Sequence, residues 1–199
     1  MQISKAVIVC AALAVAACGS GFNVTRSAPE RIALPDGTII AGAQGWCVDE
    51  ASSKARGETA VVVLGSCAAI GRNALAPQPD VAGVVTVSVE SQAGPSPSID
   101  ALEAFFQTDS GRAALARDGQ PGSIEILETQ QEDGLLYLHA EDKSTPSGAS
   151  PETWRALFDL DGRFVSVSLF GAPDSTIGRS AGLATLEAQV DELRAVNDG

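Results

Sequence analysis

Apolar residues recur along this chain in three patterns: unbroken, alternating, and spaced by three or four. Thr59–Ser66, TAVVVLGS, is unbroken and rich in β-branched residues, the pattern of a central strand covered on both faces. Residues 81–90 alternate instead, with Val85, Val87 and Val89 on one side and Thr86, Ser88 and Glu90 on the other, which predicts one buried face. Upstream, Leu34-Pro35-Asp36-Gly37-Thr38 places a turn between two short strands, 31–34 and 38–43, and Trp46-Cys47-Val48 forms a third.

Helical spacing begins after Gly94-Pro95-Ser96-Pro97. Ser98 offers an N-cap, Asp100 suits the first turn, and Ile99, Leu102, Phe105, Phe106, Ala113 and Leu115 make a broad apolar stripe, so a helix is predicted over 98–117. Asp109-Ser110-Gly111 marks a point where it divides, and Gly119 and Pro121 end it. Two hairpins follow, 123–130 with 135–141 through Asp133-Gly134, and 153–160 with 163–170 through Asp161-Gly162. Residues 142–151, rich in Ser, Pro and Gly, link them as an exposed loop. A last helix over 174–196, capped by Asp174 or Ser175, repeats Leu183, Leu186, Val190, Leu193 and Val196, a face that must pack on the sheet. The expected class is α+β: one domain, 31–199, with a mostly antiparallel sheet and helices on both faces.

The other unbroken run lies at the start. Residues 1–17, MQISKAVIVCAALAVAA, carry Lys5 and then twelve apolar residues, too few to span a bilayer, which takes roughly 20 in a helix, and suited to the core of an export signal. Val15-Ala16-Ala17-Cys18 resembles the lipobox of bacterial lipoproteins. That resemblance implies a diacylglyceryl thioether on Cys18, cleavage before it, and acylation of its new amine, with a fatty acid such as palmitate. By the same resemblance, Gly19 in place of Asp implies the outer membrane, facing the periplasm, over retention in the inner one. Residues 18–30 form the lipidated cysteine and a polar, flexible tether.

The order of elements, with Leu34-Pro35-Asp36-Gly37 leading to Trp46, then the 98–117 helix, a four-strand meander and the 174–196 helix, resembles the PsbP/Mog-type α/β/α sandwich. The likeness covers residues 31–196. It implies a non-enzymatic accessory or binding domain that docks on another protein, and it carries over no functional residue.

Charge and rare residues narrow the chemistry. Lys and Arg number 13 against 25 Asp and Glu, a net charge of −12 that becomes −13 once Lys5 leaves with the signal. Nucleic acid is therefore an unfavourable partner, since phosphate binding needs a clustered basic surface. The single histidine, His139, excludes a multi-histidine metal centre, and no cofactor motif is present. His139 sits in an alternating strand without a recognisable nucleophile, so it is expected to be a satisfied polar residue rather than a base. Asp159, Asp161 and Gly162 lack the remaining ligands of a calcium loop. Trp46, Tyr137 and Trp154 are the aromatics with polar handles, and wherever they cluster at the surface they would mark a partner site, though the core is the expected place for both Trp.

Cys10 leaves with the signal and Cys18 takes lipid, which leaves Cys47 and Cys67 as one disulfide or two separate buried thiols. A simple hairpin around residues 49–58 would set Cys47 opposite Ala60, roughly 23 Å from Cys67 at 3.3 Å per residue. A bridge needs Cα atoms within about 7 Å. Choosing the bridge means that 49–58 crosses over, or that Trp46-Cys47-Val48 lies beside the turn after Ser66. The function expected from the whole sequence is a lipid-anchored binding domain acting on another envelope component. A periplasmic enzyme with a non-local site and a small-ligand carrier with a pocket between sheet and helix are the alternatives.

Overall fold

The structure is a computed structural model that describes residues 27–92, 94–145, 150–173 and 175–198. The signal 1–17, Cys18 and the tether up to Arg26 lie outside the described residues. A hairpin of β1 (Arg31–Ala33) and β2 (Ile39–Ala41) comes first. β3 (Trp46–Val48), β4 (Thr59–Ser66), the four-residue α1 (Cys67–Ile70) and β5 (Gly83–Glu90) follow. Then come α2 (Ile99–Phe106), α3 (Asp109–Leu115), the meander β6 (Ile124–Glu132), β7 (Leu135–Asp142), β8 (Glu152–Leu160) and β9 (Arg163–Gly171), and α4 (Arg179–Asn197). Seven strands make one sheet in the order β3-β4-β5-β9-β8-β7-β6, each neighbouring pair antiparallel.

Both Asp-Gly turns fold as predicted. Asp133 and Gly134 have φ of 46° and 76°, Asp161 and Gly162 have 52° and 76°, the pair of left-handed residues whose twist matches flanking strands. The helix over 98–117 does divide, two residues earlier than Asp109. Ser98 caps α2 by accepting from Ala101 N–H at 3.2 Å, and Thr108 caps α3 by accepting from Gly111 N–H at 3.0 Å.

The two sheet faces are covered unequally. α4 and the first hairpin close the larger core, over Val62, Leu64, Val85, Val87, Phe158 and Val167. α2 and α3 cover Leu136, Leu138, Ala140 and Leu157 on the opposite face. They reach only the β6–β8 side, so Val61 and Val63 of β4 stay half-buried and Val84 is 41% exposed. The expectation that β4 is covered on both faces is thus corrected: an unbroken apolar run was matched by one helical layer, not two.

Three boundaries also change. Ala28, Pro29 and Glu30 belong to the domain rather than the tether, since Val48 N–H donates to Pro29 O at 2.7 Å and Gly42 N–H to Glu30 O at 2.9 Å. α4 starts at Arg179 with Gly178 as its cap; Ser175 is held instead in a turn that donates to Ala172 O, and Asp174 lies outside the described residues. The 142–151 loop is anchored rather than wholly exposed: Asp142 and Ser150 are buried, while residues 146–149 lie outside the described residues.

Cys47 and Cys67 form a disulfide with Cα atoms 4.8 Å apart. Trp46 pairs with Ser66 and Cys47 with Gly65, so β3 sits at the end of β4 beside the turn into α1. Residues 49–58 then run back along β4 and bridge to it at Lys54 and Val61. Last, α4 fastens the first hairpin through two side-chain amides. Gln189, fully buried, accepts from Ala43 N–H at 3.0 Å and donates to Ala41 O at 2.6 Å. Asn197 does the same for Ile39 N–H and O, both at 2.9 Å.

Candidate functional site

A groove lies between α4 and the loop 71–81, with a cavity of about 360 Å³. Its far wall is rigid for two local reasons. The disulfide fixes Cys67, whose N–H donates to Gly45 O at 3.0 Å, and Gly45 (φ 86°) lets the backbone of Gln78 press against it. A Cβ at Gly45 would stand 2.5 Å from the Gln78 carbonyl carbon, so this approach requires glycine. The near wall is the small-residue side of α4: Ala181, Ala184, Thr185 and Ala188 recur at helical spacing and leave the space open. Trp46 and Val81 close the floor.

The polar groups around this apolar floor are Gln44, Gln78, Asp80 and Thr185. Thr185 Oγ1 donates to Ala181 O at 2.8 Å, which leaves its lone pairs directed outward as acceptors. Two amides that both donate and accept, one carboxylate and one accepting hydroxyl, with no cationic side chain among the lining residues, suit a polar ligand that carries no negative charge. The alanine stripe was visible in the sequence beside the Leu and Val stripe of the same helix. Gln78 and Asp80 had no such signal, because a loop has no period.

His139 occupies a different corner. Cross-strand register places it between Glu128 of β6 and Trp154 of β8. Its ring stacks on the Trp154 indole, centroids 3.6 Å apart and nearly parallel, and its Nε2 lies 3.2 Å from Glu152 Oε2. The Arg179–Glu128 ion pair lines the same corner, and the remaining space is about 10 Å³, room for a single water. Such a filled corner holds a histidine in place; no serine, threonine or cysteine joins the residues lining it. Among the described residues, no group of three or more His, Cys, Asp or Glu side chains is placed to hold a metal ion.

Trp46, Tyr137 and Trp154 do not cluster at an exposed surface, although Trp46 lines the floor of the groove beside α4. They are 3%, 8% and 4% exposed and belong to the α4-side core, because alternation turned all three toward that helix. Burial, with Glu187 and Glu132 nearby, also pushes the Tyr137 phenol up. Gly182 of α4 lies directly on Trp154, where a Cβ would meet the indole at 2.5 Å. Asp159 Oδ1 accepts from Gly162 N–H at 2.8 Å and completes a hairpin turn, not a calcium loop.

Asp142 had no local signal in the sequence. It is buried at the end of β7, where its carboxylate accepts from Arg117 N–H at 2.8 Å and from the Ser144 N–H and hydroxyl at 2.9 and 2.5 Å. Burial would raise its pKa, but these donors and the Arg117 charge outweigh it and hold the carboxyl below the usual range. The group ties the end of α3 to the sheet and faces no cavity described above, so its part is structural.

No family model matches this chain, and no curated protein does. Among solved structures it is similar to cyanobacterial PsbP (CyanoP) from Synechocystis sp. PCC 6803, determined in solution, with 15% identity, 90% of this chain and 96% of that chain covered, and a TM-score of 0.41. The fold class itself rests on the strand order and registers: α+β, with a seven-stranded antiparallel sheet and helices on both faces. No described helix is long and apolar enough to cross a membrane.

Proposed function

We propose that this chain is a non-enzymatic binding domain of the bacterial cell envelope, held at the membrane by lipid on Cys18 and engaging another envelope component through the groove beside α4. The observation that carries the binding role is the groove itself, a space of about 360 Å³ with polar, uncharged or acidic groups around an apolar floor. Its occupant is a polar, uncharged or cationic segment of the partner. The anchor is supported by the Val15-Ala16-Ala17-Cys18 tetrad alone, and Gly19 favours the outer membrane, facing the periplasm.

A photo-crosslinking residue in place of Gln78 tests the groove in intact cells. The expected result is an adduct with one envelope component that disappears in Ala184→Phe, a variant that fills the groove from the helix side. No adduct, or one that Ala184→Phe leaves unchanged in a folded protein, would overturn the reading. The cavity size also falls within the small-molecule range, which supports a small-ligand carrier as the second reading; an adduct of low mass would select it. Metabolic fatty-acid labelling is expected to mark the wild type and miss Cys18→Ser. On the binding reading His139→Ala is expected to complement a deletion strain almost fully, whereas an enzyme that used His139 as its base would lose function. Loss of complementation by a folded His139→Ala protein would favour the enzyme.

A further inference from the structure

We infer that the loop 72–79 is the surface this domain lays against the lipid bilayer, an inference that rests on Cys18 carrying the lipid. Leu75 is 95% exposed, whereas Val84, Phe105 and Leu127 reach only 41–46%. A local turn holds it out: Asn73 accepts from Leu75 N–H through Oδ1 at 3.1 Å and from Ala76 N–H through its carbonyl at 3.0 Å. Residues 67–79, CAAIGRNALAPQP, contain one arginine and no acid, in a chain with 25 acidic residues. An apolar side chain on an acid-free, weakly basic loop has the chemistry of an interfacial contact with anionic lipid.

Geometry puts that loop where the lipid is. Ala28, near the start of the described residues, has its carbonyl 3.8 Å from Cys47 Sγ; Cys47 is bonded to Cys67, and Asn73 N–H donates to Ala68 O at 3.0 Å. The chain thus joins the domain at the same corner that presents Leu75. Nine residues separate Cys18 from Ala28, a reach of at most about 35 Å, while a domain of this size is roughly 40 Å across. The joining corner therefore stays within that reach of the membrane, while the far end of the domain can lie beyond it.

The test uses the full chain in a diderm host, with a photo-crosslinking residue at Leu75 or, as the comparison, at Phe105 on α2, and radiolabelled phospholipid. Irradiated membranes are expected to give at least tenfold more phospholipid adduct from position 75 than from position 105. Fatty-acid labelling of Cys18 is measured on the same samples. Labelled Cys18 with equal adducts at both positions, none at 75, or only protein adducts at 75 overturns this inference and leaves the anchor standing. Unlabelled Cys18 overturns the anchor and this inference together.

Discussion

Gln189 lies on the buried face of α4 between Leu186 and Val190, and its amide is fully enclosed. It is tolerated there because both halves of the amide are used, one on Ala43 N–H and one on Ala41 O. Replacing it with leucine keeps the volume and strands a backbone donor and acceptor, each worth about 1–3 kcal/mol when left buried. Gln189→Leu is expected to destabilise the domain by about 2–4 kcal/mol, read as a lower urea midpoint at unchanged slope. Asp142 makes a pH-dependent case. Its folded pKa lies below the unfolded value, so its contribution is present above the ordinary carboxylate range and is lost as pH falls through the folded pKa. Asp142→Asn is expected to cost about 1–3 kcal/mol at pH 7, with the gap from wild type closing on acidification, as urea titrations at several pH values would show. Neither residue stood out in the sequence. Gln189 meets backbone 146 and 148 positions away, and Asp142 lies in a polar stretch that looks like any loop.

Elements were far more legible than single residues, for a physical reason. An Asp-Gly pair between alternating strands specifies its own turn without distant help, and both such hairpins are present with their predicted partners. The alternation of 81–90 likewise named the buried Val85, Val87 and Val89. What an apolar run cannot encode is the extent of the layer above it, so β4 looked enclosed on both sides although α2 and α3 stop short of it. The α4–β8 contact illustrates a conflict between local and tertiary preference. Alanine at position 182 would favour the helix by about 1 kcal/mol, yet its Cβ would enter the Trp154 indole. Gly182→Ala is expected to lose roughly 1–3 kcal/mol net, with a changed Trp emission spectrum and a lower midpoint in calorimetry. Glycine at a helical position was therefore a packing signal, while Gly178, four residues earlier, has open space around it and serves as the cap.

At the scale of the whole molecule, the class and the single disulfide were both within reach of the sequence, because composition and element order determine them. The groove was not, since it is assembled from the first hairpin's exit, a loop and the last helix. Reduction of Cys47–Cys67 opens a loop with a separation of 20 residues, worth about 3 kcal/mol in the chain-entropy estimate. The melting temperature is expected to fall by about 10 °C, and thiol counting on unfolded, unreduced protein should find neither cysteine free. The strand order has a consequence of its own. β5 pairs with β9, joining Val84 to Phe170, and the amides that fasten the first hairpin sit at Gln189 and Asn197. A chain delivered N-terminus first, from a ribosome or through a membrane pore, presents β3, β4 and β5 with an open edge until β9 has emerged. Its first hairpin then waits for the last two turns of the final helix. Closure of the sheet and of the first hairpin is postponed until β9 and α4 have been delivered, so the chain stays threadable up to that point, and removing Asn197 would unfasten a hairpin 158 positions away.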